Sequence, residues 1–523
     1  MSEERSVSRH SREGQRRHAT ITEVKALKTR LLSLFVLIAA ETTSLASASG
    51  ADPSQTAAFH EANSYIYPHL AADGVTSDDV ALAEAARACS AAGTRLVLPA
   101  GRIHLTGTAQ IRLNHCAMIG VGAPAGDSSG SYGTTFLLTS TTVAPFILET
   151  GWQISGINFF WPDNVSSGEI RYPPLFNDGG KSRGFKHGII DSIVIVNAYD
   201  GITTAPFGGS GDVKISNSTM WAYHHLFNLT NTGDSWALSN NRFTPGPLLN
   251  TCSFESRCVR AINSANLHNA LFHITAGSGV TLVVNNTETF SWRYGILIDA
   301  DAQLGASIFD VAWDGMGTLI DSSSGGRYAY QNNFTGSMSR CGIVAYQNQP
   351  APDSLVTPCF NLGVGSGLFI HDFRTDGSLG SWLLGAGGNT VYMNNVRIDS
   401  VGAANDGNDY YVLKLGAPTN QLYVQNSTLS GRQSDSHVHG IDIGTNTVAR
   451  LVVQDSAFRF LNDSIRGTTN ATIQITGNSS ILTNDGGVSL DLRGTGKMVS
   501  VGNLWDVVPA AVLPPIGPNG SGN

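Results

Sequence analysis

The sequence predicts an all-β chain, a parallel β-helix solenoid entered through one short N-terminal capping helix. Three observations predict it. Past residue 105 there is almost no helical periodicity, while a short apolar β-run ending in Asn or Asp keeps returning. The 58 Gly among 523 residues exceed the usual share of about 7%. Yet 41% of the chain is hydrophobic and only 14% charged, so the glycines punctuate structure and disorder lacks its compositional basis.

Lys25, Lys28 and Arg30 precede an apolar run of ten residues, Leu31 to Ala40, and Ala46-Ser47-Ala48 follows. This is the layout of a secretory signal peptide occupying residues 1–48, and it predicts a secreted or periplasmic protein. Ten helical residues span about 15 Å, roughly half a bilayer core, so no stable membrane span is expected in the mature chain. The polar stretch before Val24 leaves the translation start open between Met1 and a point near Val24. Net charge is −8, and −11 once residues 1–48 are set aside, which argues against nucleic acid as a partner. Residues 49–73 read as a lead-in and 508–523 as a flexible Pro/Gly-rich tail, leaving 74–507 for the folded region.

The capping helix comes first. Ser77 or Asp78 can cap orphan amides, and Leu82, Ala85, Ala86 and Cys89 recur at helical spacing until Gly93 stops the helix. Arg95 to Gly101 then reads as a buried strand ending in a turn. The returning β-runs end at Asn197, Asn217, Asn240, Asn263, Asn285, Asp310, Asn332, Asp372, Asn394, Asn426, Asp455, Asn478 and Asn503. Nine of the twelve gaps fall within 20 to 25 residues, which is a solenoid period. A second apolar run follows within the unit, as at Gly295 to Ile298, so each unit supplies two or three strands and no helix. One such coil cannot bury its inward residues alone; stacking at about 4.8 Å per coil builds the core. Asn at a bend can bond its counterpart one coil away.

Six cysteines suit an oxidising compartment. They allow fifteen pairings, of which sequence proximity favours Cys89 with Cys116, Cys252 with Cys258, and Cys341 with Cys359. There is no Cys/His spacing for a structural zinc.

Thr76-Ser77-Asp78-Asp79, followed by Leu96-Val97-Leu98-Pro99-Ala100-Gly101, resembles the N-terminal cap and first strand of the pectate-lyase-like superfamily. With the ladder, the resemblance covers roughly residues 65–507. It implies a right-handed single-stranded parallel β-helix that acts on or binds polysaccharide. His437 to Thr445 is also similar to the G-H-G-I-x-I-G-S segment of polygalacturonase-type hydrolases, with His439 on the motif's histidine. The family's paired carboxylates are not matched: Asn197 to Ile202 fits the N-T-D motif in part, and Trp221-Ala222-Tyr223-His224-His225 stands where G-D-D would follow.

Ligands on a β-helix lie against loops that interrupt the repeat, and the long gaps put extra residues near 162–187, 346–367, 399–410 and 430–440. Asp299 and Asp321 are 22 residues apart, the length of a coil, and so are expected to stack, with Asp301 and Asp314 nearby. Two carboxylates at about 5 Å form an acid/base or nucleophile pair; turn-capping is the competing role. Trp221, Tyr223, Trp292, Tyr294 and Trp313 recur at similar places and are expected either to stack on sugar rings or to fill the interior, with His224 and Arg293 beside them. Arg293 with His224 or Tyr223 suits elimination beside a uronate carboxylate. No cofactor is required; Asp399, Asp406 and Asp409 share one insertion with the oxygen ligands Ca2+ takes.

The function expected is a secreted lyase or glycoside hydrolase that degrades an acidic or complex exopolysaccharide. A noncatalytic polysaccharide-binding or surface adhesin β-helix is the alternative, and a homo-oligomer is compatible with either.

Overall fold

The structure, a computed structural model, describes residues 65–505 apart from 123–132, 166–167, 169, 181–183, 205–209, 233, 254, 329–332, 340, 343–355, 403–407, 417, 434–436 and 446–447. The signal-peptide segment, most of the lead-in and the tail lie outside these residues, as do Asn332 and Asp406. Among the described residues no helix is long and apolar enough to cross a membrane.

Strand follows strand in one continuous sheet, each pairing in parallel with the strand one coil on. The chain is a right-handed parallel β-helix, as the resemblance implied. One inward column shows how the core is built: Ile202, Phe227, Phe272, Ile296, Ile320, Phe360, Leu383, Leu413, Ile441 and Ile465 are consecutive register partners. Every one is fully buried. Each contributes about 1.5–3 kcal/mol by leaving water, but only once its neighbours above and below are in place.

Helix α1 (Asp79–Ala92) closes the N-terminal end with Leu82, Ala86 and Cys89 turned inward, and Gly93 ends it at φ 60°. Its acids act differently from the expected caps. Asp78 stands at the N-cap without a side-chain cap bond, and Ser77 Oγ, the other expected cap, donates to Asp79. Asp78 instead accepts from the backbone N–H of Ala71 at 2.7 Å and of His104 at 3.3 Å. Asp79 accepts from Ser77 Oγ, Thr106 N, Thr106 Oγ1 and Gly107 N at 2.7–3.0 Å. The pair therefore pins the helix to the first coil.

The bends carry the ladder, with Asn217, Asn240, Asp310, Asp372, Asn426 and Asp455 all at positive φ. Asn286 Nδ2 donates to Asn240 Oδ1 at 2.7 Å and Asn426 Nδ2 to Asn394 Oδ1 at 2.9 Å, so corner amides bond along the axis. Asn263 departs from the pattern. It lies in α3 (Ser256–Ala265), which follows α2 (Gly246–Thr251), and Trp236 pairs directly with Leu282, 46 residues on. What read as two coils is one coil with a helical insertion, because Val259 and Ile262, the buried face of α3, mimic an apolar β-run.

All three disulfides pair as proximity favoured: Cys89–Cys116, Cys252–Cys258 and Cys341–Cys359. The second joins the end of α2 to α3.

Candidate functional site

The strands Val194–Thr203 and Thr219–Leu229 are stacked neighbours. Ala198 faces Ala222 but Asp200 faces His225, so the second strand holds one extra residue. Such a bulge breaks the alternation of side chains and re-aims them. As a result the consecutive His224 and His225 both reach Asp200, with Nδ1 atoms 3.0 and 3.7 Å from its Oδ1. The His225 N–H also donates to that oxygen at 3.1 Å. The two imidazole rings lie 3.6 Å apart, and the next ring, His273, is 4.3 Å from His225. His273 Nε2 is in turn 2.9 Å from Asp299 Oδ2. On the other side, Tyr199 stacks on His224 at 5.0 Å.

A cavity of about 250 Å³ opens beside this cluster, lined by Gly168, Arg171, Tyr199, Tyr223 and, from the helical insertion and its exit, Ala261, Ser264, Ala265 and His268. Tyr223 is its buried floor, its hydroxyl donating to the Val165 carbonyl at 3.4 Å. Gly168, at φ +63°, lies flat on the Tyr223 ring, and a Cβ there would overlap the ring. Burial keeps His225 neutral, pushing its pKa down to about 2 with help from His224, His273 and His268. Burial also lowers His268, with His224 and Arg171 acting in the same direction. Tyr199 is raised by burial and Asp200 against the pull of Arg171, and burial raises Tyr223 strongly.

Of the residues singled out from sequence, His224 and Tyr223 thus come together. Asp299 and Asp321 do not stack, because the coil here is 24 residues: Asp321 faces Leu297. Asp299 holds His273, whereas Asp321 caps a turn, accepting from the N–H and Oγ of Ser323 at 3.0 and 2.7 Å. Asp314 is exposed and accepts from Ser339 Oγ. The expected carboxylate pair is therefore three separate carboxylates. Trp221, Trp292 and Trp313, considered for a sugar-stacking face, are 0–1% exposed and belong to the core. Trp221 and Trp292 are 6.1 Å apart, and their indole N–H groups donate to the carbonyls of Ser291 and Phe243. Arg293 is buried against Tyr294, which is half-buried, and donates to Thr357 Oγ1 at 3.3 Å.

His439 lies in a second cluster. Its Nδ1 is 2.7 Å from Asp463 Oδ2, its ring stacks on Tyr411 at 5.3 Å, and Arg466 bridges Asp463 to Asp442. Burial would lower the Arg466 pKa, but the hydrogen bond and charge of Asp442, with Asp463, raise it. His225 and His439 each stand two residues before the inward apolar column, seven coils apart. At about 4.8 Å per coil that is roughly 34 Å along one ribbon. Asp399 is engaged by Arg397 at 2.7 Å, and Asp409 Oδ1 lies 3.6 Å from His439 Nε2.

Arg171, His268 and His273 went unnoticed in the sequence. The Asp200–His225 spacing of one coil was the available signal, but the 46-residue coil hid the residues that follow it.

No family model and no curated protein matches the chain. Solved structures do. The catalytic unit of a thermostable GH87 α-1,3-glucanase from Streptomyces thermodiastaticus aligns over 88% of this chain and 71% of its own, at 11% identity and TM-score 0.40. The A-module of a mannuronan C-5 epimerase from Azotobacter vinelandii aligns over 84% and 95%, at 11% identity and TM-score 0.30. A surface adhesin of Streptococcus pneumoniae aligns over 87% and 93%, at 10% identity and TM-score 0.28.

Proposed function

We propose that the protein is a secreted carbohydrate-active enzyme that cuts an acidic exopolysaccharide by β-elimination at the cavity beside the histidine cluster. The observation that carries this reading is the cavity lining: a guanidinium (Arg171), an imidazole (His268) and a phenol (Tyr199) converge on one open space. Among the described lining residues there is no carboxylate. Hydrolysis by the usual route needs two carboxyl groups flanking the scissile bond, and Asp299, Asp314 and Asp321 are engaged elsewhere.

Elimination needs what the cavity offers. Arg171 pairs with the uronate carboxylate and steadies the anion that forms beside it. His268 takes the proton at C5; its electron pair forms the C4–C5 double bond as the C4–O bond breaks. Tyr199 supplies the proton that the departing oxygen needs. Arg171 also gives an acidic protein a local positive charge where an acidic chain would lie. Secretion is supported by the disulfides, which persist in oxidising compartments.

The test is to incubate the purified protein with uronate-containing polysaccharides and follow reducing ends together with the ultraviolet absorbance of unsaturated uronates. Both rise together if elimination occurs, and His268→Gln stops both. Reducing ends without that absorbance would replace elimination by hydrolysis; binding without any new ends would make the protein an adhesin-like binding module.

A further inference from the structure

Behind the cavity, Asp200, His224 and His225 each present one donor atom, and the three atoms lie within 4.8 Å of one another. Asp200 Oδ1 and His224 Nδ1 are 3.0 Å apart, but His225 Nδ1, at 3.7 Å from the same oxygen, is beyond hydrogen-bond reach. That nitrogen is buried in a side chain only 9% exposed and has no hydrogen-bond partner among the described residues. A buried polar atom left so destabilises the fold unless something outside the chain satisfies it. An ion bonded at about 2.0–2.2 Å to nitrogen and oxygen donors holds them roughly 3–4 Å from one another, the spacing Asp200 Oδ1 already has to both Nδ1 atoms.

We propose that Asp200, His224 and His225 bind a divalent first-row transition-metal ion. The donor set selects the class: two imidazoles and one carboxylate suit zinc, manganese, iron or cobalt, whereas calcium takes six to eight oxygens. The surroundings are those of a prepared site. The bulge that brings two successive histidines to one carboxylate fixes the ligands on sheet rather than loop. Asp299 orients His273, and His273 packs on His225, so Asp299 acts as a positioning residue through two rings. Three protein ligands leave a coordination position for water or a substrate oxygen. His224 stacks on Tyr199, which lines the cavity. The ion's part in chemistry rests on the cavity being catalytic; its binding does not.

Zinc is the probe. The full-length protein, stripped with chelator, is titrated with zinc chloride by calorimetry, bound metal is counted by mass spectrometry, and cobalt is added for its visible absorption. The expected result is one zinc per chain, tetrahedral or five-coordinate cobalt bands, and a melting temperature that rises with free zinc. Asp200→Asn, His224→Gln and His225→Ala each weaken binding by at least about 100-fold. Asp200→Asn, the most conservative of these, serves if His225→Ala does not fold. His268→Gln keeps zinc affinity while losing elimination. Failure of the wild-type protein to take up zinc, or equal uptake by the ligand variants, overturns the site. Zinc uptake without elimination supports the ion and refutes the catalytic reading; elimination without zinc uptake does the reverse.

Discussion

Replacing Asp79 by Asn turns one acceptor oxygen into an NH2 group at a fully buried point where four donors converge. Oδ2 accepts from Ser77 Oγ, Thr106 N and Thr106 Oγ1, and Oδ1 accepts from Gly107 N. Whichever way the amide sits, at least one backbone N–H loses its acceptor and meets another donor. One orphaned donor costs about 1–3 kcal/mol, and the remaining bonds lose the charge that strengthens them, so the variant should be weaker by about 2–4 kcal/mol. The effect depends on pH in a definite sense. Burial raises the Asp79 pKa, but its hydrogen bonds outweigh that and leave it below the ordinary carboxylate value. A group with a lowered folded pKa stabilises fully above its unfolded value of about 3.9 and loses that contribution as pH falls through the folded one. The difference between the two proteins is therefore constant from pH 7 to 5 and shrinks in more acid solution. Urea midpoints across that range measure it, and hydrogen exchange of the α1 amides locates it at the N-terminal end. A difference below about 0.5 kcal/mol, or one that persists unchanged to pH 3, would refute the reasoning.

Trp292→Ala removes a buried indole that touches Trp221 and donates to the Phe243 carbonyl. It should cost about 3–5 kcal/mol in thermal or urea unfolding, with no change in KM for any substrate that the surviving folded fraction still turns over. Arg171→Ala, at an exposed position on the cavity rim, should raise KM for uronate chains about 10–100-fold and leave the melting temperature unchanged. Gly168→Ala forces a methyl group into the Tyr223 ring from a backbone conformation that L-residues rarely adopt; kcat/KM should fall about tenfold while urea stability drops by about 1–3 kcal/mol.

The sequence made the solenoid legible because its signals are local and repeated. Asp78-Asp79 marked the cap, Leu96 to Gly101 the first strand, and the Asn and Asp corners the period, even though both acids turned out to bond the first coil rather than the helix end. The site was harder to read because it depends on register. A difference of two residues in coil length keeps Asp299 and Asp321 near strand ends but removes their contact. A one-residue bulge turns His224 and His225 together toward Asp200, which strict alternation forbids. The direction of the tryptophans was likewise undecidable from spacing, since interior and exterior positions both repeat once per coil. His268 follows a helix whose apolar spacing passed for strand.

The helical insertion lengthens one coil to 46 residues, yet pairing is regular on both sides of it: Trp236 meets Leu282, and Ala270 meets Tyr294. Distance along the axis is thus indifferent to how many residues a turn consumes. One wall of the cavity is an outgrowth of a single turn, and it can be lengthened, shortened or exchanged without shifting the apolar column beneath it by a single step. The groups that the sheet supplies to the cavity, Tyr199 and Tyr223, and those that the outgrowth supplies, His268 among them, can therefore change independently.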